Sequence, residues 1–468
     1  MSYKLRDQIK EIFQYKLALA GIGILLILIG ISVYAVVAIP YDVATYLWRG
    51  GEGIWLDCPK NALPSWISLF SAKKIPETIV LDTQKGQVGV TKIIFPITAN
   101  MSKLRIEFNF YYDYDDFPSE INLFYTAIYN ERSPLVTIYW TKPTGQQIKI
   151  IDMVLKKSGA YYLSIDAVLA NTLQSYLTQK TGTEPEYAVV PVIGLFAVED
   201  SSVLKISTVT PLKGKYNVVI EGTLFEENSN VDVKLVVYGK IYGLAGTDHL
   251  RRDLSIALLW GTPIALSFGV VAALSIAVIQ MIIAALSAWF LGKVDFTFQK
   301  ITEINMILPF LPILIMLSVF YSFSIWMLLI VVIALNVFGS GVKTYRAVFL
   351  QIKEFPYIEA AKAYGASSLR IIFLYMIPKI LPTIIPNLVM SVSSFVFLEA
   401  AMALLGLGDP MAPTWGKIID DAYSSGALYK GYYYWVLEPS FLLILTSLGF
   451  ALLGFALDKI FNPKLREM

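Results

Sequence analysis

The sequence predicts a polytopic α-helical membrane protein of six transmembrane helices, with a β-rich, sandwich-like extracytoplasmic domain inserted after the first. Three observations lead there. Of 468 residues, 56% are hydrophobic and 16% charged, against about 25% charged in a typical soluble chain. The apolar residues gather into long uncharged runs, each able to cross a hydrocarbon core of about 30 Å. Between the first run and the rest, hydrophobicity instead alternates at a period of two, the signature of strands. The net charge of +2 gives no excess that would draw nucleic acid. A single cysteine, Cys58, and a single histidine, His249, exclude an internal disulfide and leave no Cys/His metal site.

The first element is the uncharged run from Leu17 to Ile39, closed by Pro40 and preceded by a mixed charged stretch (Lys4, Arg6, Asp7, Lys10, Glu11, Lys16). It exceeds the apolar core of about 7 to 15 residues in a signal peptide and ends without a small-residue cleavage site, so it reads as an uncleaved anchor. Residues 1–40 form this first segment. Residues 41–245 follow as the strand-rich domain, with alternation at Lys103–Tyr111 and Val231–Val237 and turn clusters at Lys142–Gly145 and Glu226–Asn230. One or two antiparallel modules fit this length. Asn100-Met101-Ser102 forms a glycosylation sequon, which suits an outside location.

Residues 246–468 form the membrane core. The charge-free run Leu254–Gly292 is longer than one crossing requires. It is expected to begin with a flat interfacial stretch, Leu254–Thr262, anchored by Arg251 and Arg252 with Trp260 at headgroup level, and to cross from Pro263 to Phe290. The run Ile304–Val342 divides into two crossings at Tyr321–Ser324, and the last crossings are Ile380–Leu404 and Pro439–Leu457. Lys and Arg crowd the short loops at 293–300 and 343–379 and the C-terminus. By the positive-inside rule these face the cytoplasm. Both termini then lie inside the cell membrane and residues 41–245 outside.

Glu359-Ala360-Ala361-Lys362-Ala363-Tyr364-Gly365, followed by Arg370 and Met376-Ile377-Pro378, resembles the EAA loop of ABC importer permeases. The residues themselves favour a helix from Pro356 to Tyr364, a left-handed stop at Gly365, and a second helix capped by Ser367 or Ser368. Alanines 360 and 361 keep this helix-turn-helix knob slim, while Glu359, Lys362 and Arg370 supply polar register. Tyr375 and Lys379 depart from the family pattern, which often has His and Asn there. Ahead of the second crossing, Gly246-Thr247-Asp248-His249-Leu250-Arg251-Arg252-Asp253 is similar to the GTDxxGRD lead-in of dipeptide/oligopeptide permeases, with Arg251 in place of glycine. Asp248 and Asp253 are placed to pin Arg252, or stand as solvated interfacial charges. A third likeness spans Glu399-Ala400, Leu404–Gly408, Pro410, Pro413, Trp415 and Gly416, and a fourth is the ending Asn462–Arg466. The chain is therefore identified as a permease subunit of the dipeptide/oligopeptide family of binding-protein-dependent ABC importers, of an archaeal-like form carrying an extracytoplasmic insertion. The resemblance implies a type I importer fold and a coupling loop over residues 344–379.

It also implies partners. These are a second homologous permease, two ABC ATPase subunits and an extracytoplasmic substrate-binding protein, which the insertion is expected to hold or dock near the path, all in membrane lipid. No Gly-x-x-x-x-Gly-Lys-Ser/Thr occurs, so ATP and Mg are expected on the ATPases, and this chain is expected to be non-catalytic with no cofactor of its own. Asn387, Ser391 and Ser394 share one face of the fifth crossing, as a translocation path or as small polar residues packing helices together. Glu399, an acid deep in that crossing, should face protein or water and reads as a structural anchor. Pro309, Pro312 and Pro386 mark kinks. Related permeases carry dipeptides, oligopeptides, nickel or, in some archaea, oligosaccharides. A secondary transporter or channel would function without an ATPase, and a membrane-anchored receptor or adhesion protein would need only one or two crossings.

Overall fold

A computed structural model of the chain describes residues 15–98, 101–205, 208–321 and 323–461. The charged N-terminus, the Asn100 sequon, Ser322 and the Asn462–Arg466 ending lie outside the described residues. The chain divides into a helical unit, 1–49 with 254–468, and a β-rich unit, 50–253. The boundaries thus differ from 40 and 245. Residues 41–49 form a helix that continues the helical unit, and the Gly246–Asp253 lead-in folds into the β-rich unit.

In the helical unit, α1 (Lys16–Ala38) is followed by α2 (Tyr41–Arg49). In the β-rich unit all strand pairs are antiparallel. They build two open sheets, one ordered β1 (Ile79–Asp82), β9 (Asn230–Tyr238), β4 (Glu120–Ile128), β7 (Ser158–Tyr162), the other β2 (Val90–Thr98), β3 (Met101–Tyr112), β8 (Gly214–Leu224), β5 (Leu135–Thr141), β6 (Gln147–Val154). The period-two pattern explains the packing, because Leu104, Ile106, Phe108 and Phe110 of β3 all point into one core. That core also takes Ile121 and Leu123 of β4, Trp140 of β5 and Leu235 of β9, so the two sheets form one sandwich rather than two modules. The turn at Lys142–Gly145 closes the β5–β6 hairpin, with Gly145 at φ +84°. The strand reading missed a helix, α3 (Ala167–Thr181), which the Asp166 carboxylate caps by accepting from the Val168 and Leu169 amides. Leu169, Leu173 and Leu177 recur every fourth residue and bury one stripe in the sandwich core.

The rest of the helical unit comprises α4 (Leu254–Phe290), α5 (Gly292–Ile307), α6 (Phe310–Phe320), α7 (Ile325–Asn336), α8 (Ser340–Lys353), α9 (Pro356–Ala363), α10 (Ile377–Leu404), α11 (Trp415–Ser424) and α12 (Tyr434–Phe461). Among the described residues, four stretches are long and apolar enough to span a membrane: 16–38, 254–290, 368–404 and 434–461. The count reaches six when α5–α6 and α7–α8, bent by 74° and 49°, each serve as one span. Pro309 sits at the first bend, where it offers no N–H to continue the ladder. The second bend falls at Val337–Gly339. There Gln280, buried mid-way along α4, donates its amide to the Asn336 carbonyl at 2.8 Å. α6 and α7 meet at the turn expected around Tyr321–Ser324.

The expected flat stretch Leu254–Thr262 is corrected. α4 is one continuous helix of 37 residues, about 55 Å long at 1.5 Å per residue. Trp260 is buried, its indole N–H donating to Ile39 O at 3.0 Å and its ring edge-on to Tyr41. α10 packs on α4 and α12, and α12 on α1. Gly21 of α1 approaches Gly449 of α12 so closely that a Cβ on Gly21 would lie 2.8 Å from the Gly449 carbonyl oxygen. Close approach through small residues lets backbones pack in lipid, where no hydrophobic drive acts between helices.

Candidate coupling face and translocation path

The knob forms as its residues demand. Phe355 precedes α9, Pro356 occupies its first turn, and Gly365 takes φ +76° just past its end. The Gly365 amide donates to Lys362 O at 2.9 Å and the Ala366 amide to Ala361 O at 3.0 Å, the paired bonds of a Schellman stop. Ser367 stands at the cap position of the next segment but makes no side-chain cap bond. One α-turn (Ser368–Ile371) and a π-helical turn (Ile372–Met376) then run into α10, with Pro378 in its first turn.

One side of the knob is sealed. Ile358, Ala361, Ile371 and Ile372 are buried in a cluster with Ala284 and Ala288 of α4 and Phe349 of α8. Glu359, Ala360, Lys362, Gly365 and Arg370 are exposed, and so are Tyr364, Leu369, Phe373 and Leu374. The two alanines therefore differ in role. Ala360 keeps the outer surface slim, and Ala361 faces inward, where its small size lets α9 sit close to the bundle. Sequence reasoning missed the brace beneath. Lys353 donates to the Ala288 and Trp289 carbonyls at 3.1 and 2.9 Å, covering the C-terminal end of α4, where cations are favoured. The Trp289 ring lies 4.9 Å from Lys362 Nζ and 5.6 Å from Lys353 Nζ, within cation–π range. Close by, Arg346 holds Asp295 through two nitrogens, and Ser287 donates to the same carboxylate. A bidentate pair of this kind fixes orientation as well as distance.

Asn387, Ser391 and Ser394 lie on one face of α10, with Asn387 and Ser394 exposed and Ser391 half-buried. The opposite face is packed through Val392, Val396 and Ala400. Ser393 donates to Ser447 O at 3.3 Å. Glu399 is buried, with Thr414 close by. Thr414 caps α11 through the Lys417 amide at 3.1 Å. The Glu399 carboxyl thus lies where the end of α10 meets the start of α11. Gly406, at φ +74°, stops α10 with a second Schellman pair. Trp415 then donates to Leu258 O at 2.9 Å, its indole lying where a Cβ on Gly261 would have to go.

The lead-in motif is a buried knot within the β-rich unit. Thr247 donates to Pro59 O at 2.7 Å and accepts from the Ala62 amide at 3.0 Å. Asp248 accepts from the Leu250 and Arg252 amides at 2.8 Å each and from Arg252 Nε at 2.5 Å. Asp253 bridges back to Thr247. Gly246, at φ +71°, permits the turn. Arg251 and Arg252 are 3% and 5% exposed, which rules out their expected role as interfacial anchors. Burial raises the Asp248 carboxyl above its usual range, against the pull of Arg252. Arg251 adopts φ +68°, the left-handed region that a glycine reaches without strain. Its guanidinium is then held by Cys58 O at 2.7 Å, by Glu120, and by the Tyr238 ring at 4.2 Å.

A bundle of long apolar helices bent at proline, with an exposed helix-turn-helix braced against its end, defines a membrane-spanning permease subunit. Residues 255–467 match the profile of the binding-protein-dependent transport system inner membrane component. The chain is 30% identical over 226 residues to the dipeptide transport system permease protein DppC of Bacillus subtilis, covering 47% of this chain and 69% of that protein. It is 30% identical over 227 residues to the oligopeptide permease OppC of the same organism, covering 47% and 72%. It is 28% identical over 224 residues to the glutathione transport system permease protein GsiD of Pectobacterium atrosepticum, covering 47% and 73%. The chain belongs to this family of ABC-importer inner-membrane permeases, and the profile match begins just after the β-rich unit.

Proposed function

We propose that this subunit forms half of a translocation path and couples ATP hydrolysis by two partner ABC ATPases to the uptake of dipeptides or oligopeptides. A second, homologous permease supplies the other half, and an extracytoplasmic substrate-binding protein delivers cargo. ATP and Mg are held by the ATPases. Both termini face the cytoplasm, and the β-rich unit stands outside, next to the arriving binding protein. The dipeptide, oligopeptide and glutathione permeases among the relatives favour a peptide over an oligosaccharide.

The observation that carries this reading is the two-sided knob. Its inner face is packed, and braced by Lys353 and Lys362 on Trp289, so that a push on its outer face reaches α4, α8 and α10 as rigid bodies. The outer face combines polar residues (Glu359, Arg370) with exposed apolar ones (Leu369, Phe373, Leu374), the mixed composition of a protein interface. Asn387, Ser391 and Ser394 present a polar stripe on the unpacked side of α10, where a path shared with the second permease would run. The test is Glu359→Lys and, separately, Leu374→Asp in the complex reconstituted into liposomes. Both should abolish uptake and release the ATPases while leaving the permease folded. Normal uptake with normal ATPase coupling in both variants would overturn the proposal.

A further inference from the structure

The β-rich unit contains a cavity of about 680 Å³, within the size range of small-ligand sites. Its lining mixes two chemistries. Phe117, Tyr162, Ile165 and Ile193 supply apolar surface, and Ile165 is 80% exposed although it is a large aliphatic residue. Lys60, Asp116, Glu120, Lys240 and Arg251 supply charges of both signs, four of them held in fixed pairs. Lys240 Nζ lies 2.7 Å from Asp116, and Arg251 is paired with Glu120.

These charges are oriented by surrounding bonds. Asp116 Oδ1 accepts from the Phe117 amide at 2.8 Å, and its carbonyl accepts from the Tyr112 hydroxyl. Glu120 accepts both Arg251 and Asn122 through Oε2, so Oε1 has no hydrogen-bond partner among the described residues. Arg251 uses two of its five N–H groups on Cys58 O and Glu120. The lining therefore keeps acceptor capacity for an ammonium group and donor capacity for a carboxylate, together with surface suited to an apolar side chain. A site built only to be hydrated would not need the apolar surface, and a site for an uncharged apolar ligand would not need the paired charges.

We propose that this cavity binds a zwitterion bearing an apolar side chain, an amino acid or a short peptide. Its ammonium engages Glu120 and Asp116, its carboxylate engages Arg251 and Lys240, and its side chain lies along Tyr162 and Ile165. The proposal does not rest on the coupling role of the knob. Binding is read on the full chain without ATPases, so a silent knob and an empty cavity give different results.

The experiment is calorimetric titration of the full-length protein in lipid nanodiscs with four probes: leucine, Leu-Leu, Gly-Gly, and Leu-Leu acetylated at its N-terminus and amidated at its C-terminus. Saturable binding of leucine or Leu-Leu is expected, with the preferred of the two giving the ligand's length. Gly-Gly and the capped peptide should each bind at least about tenfold more weakly, a factor equal to 1.4 kcal/mol. Glu120→Gln should weaken the zwitterion at least about tenfold. Because that change touches a buried arginine, Ile165→Asp at an exposed position serves as the second variant and should weaken Leu-Leu while leaving the melting temperature unchanged. Absence of saturable binding by leucine and Leu-Leu, equal affinity for the capped and uncapped peptide, or binding indifferent to both variants would overturn the assignment.

Discussion

Replacing Gly365 by proline attacks the knob at the residue on which its chain direction turns. Gly365 sits at φ +76°, whereas proline locks φ near −65°, so the ring forces the backbone out of the left-handed region. It also deletes the amide that donates to Lys362 O at 2.9 Å, a bond contributing about 1 kcal/mol net. Alanine is the graded control. A Cβ at 365 meets nothing within 4 Å, so Gly365→Ala bears only the left-handed cost of about 1–2 kcal/mol. α9 has only eight residues, far too few for helical stability of its own. The loss in Gly365→Pro, about 3 kcal/mol or more, should therefore detach α9 from its stop, while the helical bundle survives. In liposomes containing the ATPases, uptake and substrate-stimulated ATPase activity should fall in the order wild type, alanine, proline, with proline near background. Full uptake by the proline variant, or an alanine variant worse than the proline one, would refute the argument that a left-handed stop transmits the stroke.

Three further predictions test other parts of the chain. Arg251→Gly removes left-handed strain of about 1–2 kcal/mol but breaks a buried pair, which typically costs about 3–5 kcal/mol; the β-rich unit should lose roughly 1–4 kcal/mol, seen as a lower melting temperature, and an unchanged or raised value would show the pair to be idle. Gly21→Val should disrupt α1–α12 packing and reduce folded protein in detergent, whereas Gly30→Val, whose Cβ would meet nothing within 4 Å, should not; equal yields would dismiss the close contact. Glu226 accepts from the Asn130, Glu131 and Arg132 amides at 2.6 Å each, and these bonds hold its carboxyl below the ordinary value of 4.5. Its contribution is therefore complete above that value and disappears as pH falls through the depressed one. Amide-exchange protection of residues 130–132 should drop in that acid range, and Glu226→Gln should show no such acid step.

Some of this architecture could be read directly from the chain. Uncharged runs located the spans because lipid admits only hydrogen-bonded backbone with apolar side chains, a constraint each segment meets alone. The stop at Gly365 was equally legible, since a left-handed residue past a helix end is a local requirement of the backbone. Alternation on β3 and β9 announced a sandwich for the same reason. Over Ala167–Thr181 the helical period is carried by three leucines alone, set among strands, and the helix escaped notice.

What local chemistry cannot specify is which partner a side chain meets. Arg251 and Arg252 looked like interfacial anchors by position, yet folding gave them Glu120, Cys58 O and Asp248, because a charge leaves water only where distant residues satisfy it. Ala360 and Ala361 are identical in sequence and opposite in role, since the inward or outward direction of each is set by the helices beneath. The Lys353–Trp289–Lys362 brace, the Gln280 bond at the α7–α8 bend and the cavity lined by paired charges each join residues far apart in the chain, so only the folded molecule could assemble them.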